Sequence, residues 1–172
     1  MKKLTMVSGV GCILLLAGCS TLNKASINKE IGQPAQVVVT LNGIESENGS
    51  LLIYIHDNEY SYYSDDNINT DGITFFRKLN IPADTPNKQV IFDNIPSGQY
   101  AITAYHDEDN DGRLDRMIAP FIGMPSESYG SSNDSFSYLS KGSFEDALID
   151  INLPVANVTI NLSTHLSKIA TN

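Results

Sequence analysis

Apolar side chains recur at every second position in short runs along this chain. That period belongs to a strand, because successive strand residues point to opposite faces. Val37, Val39 and Leu41 alternate with Gln36, Val38 and Thr40, and Leu51, Ile53 and Ile55 repeat the pattern after the turn-forming Glu47-Asn48-Gly49-Ser50. Ile73, Phe75 and Leu79 share a face in the next segment. Val90 and Phe92 mark a short run closed by Asn94-Ile95-Pro96-Ser97-Gly98, and Tyr100, Ile102 and Ala104 follow. Ala147, Ile149 and Ile151, then Val158, Ile160 and Leu162, complete the series. Seven short strands with turn signals between them predict an all-β fold, a single antiparallel β-sandwich of the immunoglobulin-like or transthyretin-like kind. No segment longer than a few turns carries a helical period.

The first eighteen residues stand apart from this pattern. Lys2 and Lys3 precede an apolar run from Met6 to Leu16, and Leu16-Ala17-Gly18-Cys19 has the form of a lipoprotein signal. The run is too short to span a bilayer, which takes about 20 residues. The expected division is a removed signal over residues 1–18, a lipidated Cys19 and polar tether over 19–35, and the β-sandwich over 36–172. Ser20 in place of aspartate favours the outer membrane in a cell that has one. Cys12 leaves with the signal and Cys19 carries lipid, so the domain has no disulfide and a bound metal is the natural substitute brace. The net charge of −9 repels nucleic acid and anionic headgroups, which excludes nucleic-acid binding.

Two connections are long, residues 57–72 and 107–144, and long connections in compact domains carry function or disorder. The second opens with Asp107-Glu108-Asp109-Asn110-Asp111-Gly112-Arg113-Leu114-Asp115. Carboxylates stand at its first, third, fifth and ninth positions, with glycine at the sixth, where a sharp turn is needed. Oxygen ligands at that spacing suit calcium. The expected donors are the side chains of Asp107, Asp109, Asp111 and Asp115 and the backbone carbonyl of Arg113. Ile118 occupies the twelfth position, where an EF-hand would place glutamate, and a strand rather than a helix precedes the turn. The other reading is a solvated acidic turn without an ion.

A longer constellation surrounds the turn. Gly98-Gln99-Tyr100-Ala101-Ile102 is followed by His106-Asp107, Asn110, Gly112 and Leu114-Asp115. Then come Gly123-Met124-Pro125-Ser126-Glu127, Gly130, Ser132-Asn133 and Phe144-Glu145-Asp146-Ala147. Over residues 98–147 this order and spacing resembles the bacterial exported proteins grouped as domain of unknown function 2141. The resemblance implies an exported β-sandwich and supplies no catalytic residues. Asp109 and Asp111 stand where the family pattern often has asparagine, so this turn is the more acidic. Glu127 has two open roles, an added metal ligand or an anchor that holds the loop by accepting backbone N–H groups.

His56-Asp57 and His106-Asp107 each end an expected strand, and strands running the same way would bring both histidines to one rim. His165 lies near the C-terminus and is expected to face solvent. Tyr60, Tyr62 and Tyr63 fit either an interface or loop packing. There is no Gly-x-Ser-x-Gly elbow, phosphate-binding glycine loop or His-Glu-x-x-His helix. The favoured expectation is a binding or structural module, anchored to the membrane through Cys19, that offers a calcium-ordered loop to an envelope protein or glycan. The alternatives are a metal-dependent hydrolase built on His56, His106 and Glu127, and a passive envelope-stability lipoprotein.

Overall fold

The computed structural model describes residues 33–65, 73–119, 122–138 and 140–171. The expected signal, Cys19 and most of the tether lie outside the described residues. The seven expected strands correspond to β1 (Ala35–Asn42), β2 (Ser50–His56), β3 (Arg77–Pro82), β4 (Asn87–Ile95), β5 (Gly98–Asp107), β9 (Ile149–Ile151) and β10 (Val155–Asn161). Within the second long connection lie β6 (Tyr129–Ser131), β7 (Phe136–Ser137) and β8 (Ser140–Lys141). Three short helices accompany them, α1 (Glu59–Ser64), α2 (Phe144–Ala147) and α3 (His165–Thr171). Among the described residues, no helix is long and apolar enough to cross a membrane.

Two sheets face each other. One has the order β10-β1-β4, the other β3-β2-β5-β6 with β9 added beside the start of β5. Val37, Val39, Leu41, Val90, Phe92, Val158 and Ile160 come from the first sheet. They pack against Leu51, Ile53, Ile55, Ile102, Ala104 and Ile151 of the second. Burying each such side chain contributes about 1.5–3 kcal/mol, so this interior is the main support of the fold. The pairing is antiparallel with one exception: β1 and β10 run parallel, Gln36 opposite Val155 through Asn42 opposite Asn161. A parallel neighbour needs a long crossover, and the whole of the chain between β1 and β10 supplies it.

β2 is buried along both faces, unlike an alternating strand with one wet side. Its outer face carries Leu52 and Tyr54, which join Tyr105, Leu114, Tyr129 and Phe75 in a second apolar cluster. Above it α1 and α2 contribute Tyr62, Ala147 and Phe144 around Ala101. The second sheet is thus roofed by the two connections that the sequence marks as long.

Three local expectations change. Phe75 and Leu79 do not share a face, because β3 begins only at Arg77. Phe75 packs against Tyr54 in the outer cluster, ring centroids 4.6 Å apart and planes tilted by 51°, while Leu79 packs on the inter-sheet core. Ala147 ends a helix rather than starting a strand, since the Ser143 side chain caps that helix by accepting from Asp146 N at 3.0 Å. His165 is fully buried, with Nδ1 at 2.7 Å from the Tyr129 hydroxyl and Nε2 at 3.1 Å from the Tyr138 carbonyl.

Candidate cation site at the end of strand β5

The acidic turn sits at one pole of the sandwich. Register places Asp107 opposite Ser50 in the β5–β2 ladder, and the β1–β2 loop packs against it through Gly49. A Cβ at Gly49 would overlap the Asp107 carbonyl and the Glu108 backbone, and its φ of +73° also favours glycine. Ala35, where the described chain enters β1, lies at the opposite pole beside Ile95. Eight strand residues at about 3.3 Å each separate the two poles.

Within the turn, aspartates bind the backbone that follows them. Asp107 accepts from Asp111 N at 3.1 Å and from Gly112 N at 2.9 Å. Asp109 accepts from Asp111 N at 3.0 Å, and Asp111 accepts from Arg113 N at 2.8 Å. Leu114 drops into the outer apolar cluster and pins the far end of the turn. The chain then makes a hairpin: Arg116 bridges Pro125, Met117 N donates to Met124 O at 2.8 Å, and Ser126 N donates to Asp115 O at 2.8 Å. This return path delivers Glu127 to the turn.

Glu127 straddles the turn with both oxygens. Oε1 accepts from Glu108 N at 2.8 Å and Oε2 from Asp115 N at 2.9 Å. The anchoring role is therefore present. Its carboxylate also converges with two others, since Asp107, Asp109 and Glu127 each offer an oxygen within 4.8 Å of the rest. Asp107 and Glu127 are buried. Burial pushes the Asp107 carboxyl upward, and the neighbouring Asp111 and Asp109 charges add to it against hydrogen bonds from Gly112 and Asp111. Burial likewise raises Glu127, with Asp115 and Asp107 adding to the effect against the two amide bonds.

The five expected donors are not all gathered. Asp111 and Asp115 are exposed and stand outside the three-carboxylate cluster; the Arg113 side chain, expected to point away while the carbonyl ligates, faces solvent beside Asp111 and Arg116. Asp115 instead joins Glu45, Glu108, Asp109 and Glu127 around a cavity of about 330 Å³. Ser126, Ser128 and Thr164 complete the lining, which includes no basic side chain. Nothing in the spacing of residues 107–115 points to Glu45 or Glu127; the hairpin and the β1–β2 loop bring them in.

The histidines do not form a joint site. Because β2 and β5 are antiparallel, His56 pairs with Ala101 and His106 with Leu51, a separation of five residues or about 17 Å along the ladder. The arrangement of His56, His106 and Glu127 around one metal is thereby excluded. His56 instead belongs to a buried polar cluster beneath α1. Its Nδ1 lies 3.2 Å from Ser61 Oγ, and its Nε2 lies 2.9 Å from Thr103 Oγ1 and 3.1 Å from Asp65 Oδ2. Thr103 donates to Asp65 at 2.5 Å, and Lys141 pairs with the other Asp65 oxygen while donating to Tyr105 OH at 3.1 Å. Ser61, His56 and Asp65 have the atom types of a hydrolytic triad, but all three are shut from solvent. Of the three tyrosines near α1, Tyr62 is buried, while Tyr60 and Tyr63 are exposed.

Comparison with known proteins gives no match among curated proteins and none among solved structures. A family model does match residues 39–159, well over half of the chain and far beyond the segment around the acidic turn. The chain belongs to that family, the uncharacterized proteins conserved in bacteria designated DUF2141.

Proposed function

We propose that this protein is a lipid-anchored cell-envelope module whose acidic pole is ordered by calcium and presented to an envelope protein or glycan. The observation that carries the reading is the convergence of Asp107, Asp109 and Glu127 within 4.8 Å. Three carboxylates at that separation repel one another, and a hard divalent cation with oxygen ligands relieves the repulsion. Two of the three are buried, which sharpens the cost of leaving them uncompensated. In this reading Asp107, Asp109 and Glu127 supply the inner ligands. Asp111 and the Arg113 carbonyl order the turn, and Asp115 reaches the ion through water. In this reading the tether from Cys19 joins the sandwich at the Ala35 pole, opposite the acidic turn.

Calcium acts here as a brace. Glu127 ties the turn's two ends, and an ion adds a second tie between Asp107 and the return strand. A thermal melt in excess calcium against chelator tests this. At a calcium concentration of 100 times its dissociation constant the gain is about 2.7 kcal/mol. Asp109→Ala abolishes the difference while leaving the chelated melt close to that of the native chain. A melting temperature identical in calcium and chelator would end the proposal.

A further inference from the structure

The chain has three histidines, and two of them use both ring nitrogens in hydrogen bonds. His56 meets Ser61 and Thr103, and His165 meets Tyr129 and the Tyr138 carbonyl. His106 differs. Its Nε2 lies 2.8 Å from the Asn48 carbonyl oxygen, which can only accept, so Nε2 carries a proton, and in the neutral ring Nδ1 carries the lone pair. Nδ1 is fully buried and makes no hydrogen bond. The ring is held so that Nδ1 turns toward Glu108, whose Oε1 stands 3.7 Å away, beyond hydrogen-bond reach. With the ring neutral, two acceptors face each other there. Glu108 in turn lines the acidic cavity together with Asp109, Asp115, Glu45 and Glu127.

A histidine with one nitrogen donating to a backbone carbonyl and the other bare is oriented as metal-ligating histidines are. We propose that His106 Nδ1 and the Glu108 carboxylate form a second cation position, behind the Glu108 side of the acidic cavity, that takes a borderline divalent ion of the zinc class. Zinc–nitrogen bonds of about 2.0–2.1 Å and zinc–carboxylate bonds of about 2.0–2.2 Å together exceed the present gap. An ion therefore spans the two atoms once the half-exposed Glu108 side chain makes room for it beside the buried nitrogen. Calcium is the weaker guest for this pair because its shell is made of oxygen. The open cavity supplies water for the remaining positions, which makes the ion exchangeable. The half-exposed Glu108 side chain can adjust to it, whereas the buried imidazole is fixed. This position does not rest on the calcium reading, since it uses neither Asp107 nor Asp109.

The test is a zinc titration of the full-length protein, with and without excess calcium, followed by the imidazole nitrogen resonances of the three histidines. Stoichiometric zinc should move the Nδ1 resonance of His106 and leave those of His56 and His165 in place. Glu108→Gln should weaken zinc binding at least tenfold without unfolding the chain, and His106→Gln should abolish it. Because His106→Gln replaces a fully buried ring and costs stability, the Glu108→Gln comparison is the deciding one. Zinc binding in a protein indifferent to calcium supports this position and tells against the calcium brace alone. Zinc that leaves the His106 resonance unmoved, or that binds Glu108→Gln as tightly as the native chain, overturns it.

Discussion

Asp65 accepts hydrogen bonds from Thr103 and His56 and pairs with Lys141, all out of contact with water. Burial alone pushes this carboxyl upward, but the Lys141 charge and the His56 and Lys141 hydrogen bonds overcome it and hold it at about 2. A folded pKa below the unfolded one means that the stabilisation is complete above the ordinary carboxylate range and is lost as pH falls toward about 2. Asp65→Asn leaves Lys141 buried beside a neutral group, at a cost of about 3–5 kcal/mol in urea denaturation. The same variant flattens the acid limb of the stability profile. Asp107 and Glu127 carry the opposite sign. Their folded pKa lies above the unfolded one, so in chelator their ionisation removes stability as pH rises from the ordinary carboxylate range through the raised value. Melts at a series of pH values should show that loss in chelator and its disappearance in calcium.

The β1–β2 loop and the acidic connection are built to touch. Gly49→Ala drives a methyl into the Asp107 carbonyl and forces a residue with a side chain to a φ of +73°, which costs about 1–2 kcal/mol from the backbone alone. Its urea midpoint should fall accordingly. Glu127→Gln replaces one of two accepting oxygens with a donor that faces an amide N–H. Hydrogen exchange at the Glu108 and Asp115 amides should quicken, with a stability loss of about 1.5–3 kcal/mol. The strands themselves were legible because Val37-Val39-Leu41 and Val158-Ile160 state their period openly, and the turn because Gly112 among closely spaced aspartates favours a tight bend whose backbone N–H groups those carboxylates accept. The roof over the second sheet was not legible. Ser61, Asp65 and Lys141 are polar residues in segments without period, and only partners met in three dimensions make their burial tolerable: His56 for Ser61, and Thr103, His56 and Lys141 for Asp65. The histidine rim failed for a related reason: chain order does not tell which way neighbouring strands run.

At the scale of the molecule the two poles have separate duties. In the proposed reading one receives the tether and the other holds the acidic cavity, with a strand's length of packed sheet between them. Cys19→Ser should move the protein from the detergent phase to the aqueous phase on phase partitioning, while its calcium-dependent melt stays as it was. Retention of Cys19→Ser in the detergent phase would refute the lipid anchor without touching the cavity. The hairpin that joins Arg116 to Pro125 has one more consequence. Its two stems are already fastened, at Leu114 and Asp115 on one side and at Ser126 and Glu127 on the other. What lies between them is therefore a cassette, and lengthening it costs only about 0.6 kcal/mol for each doubling. A foreign peptide spliced between Met117 and Met124 should therefore be displayed without disturbing the stems, which an unchanged urea midpoint would check.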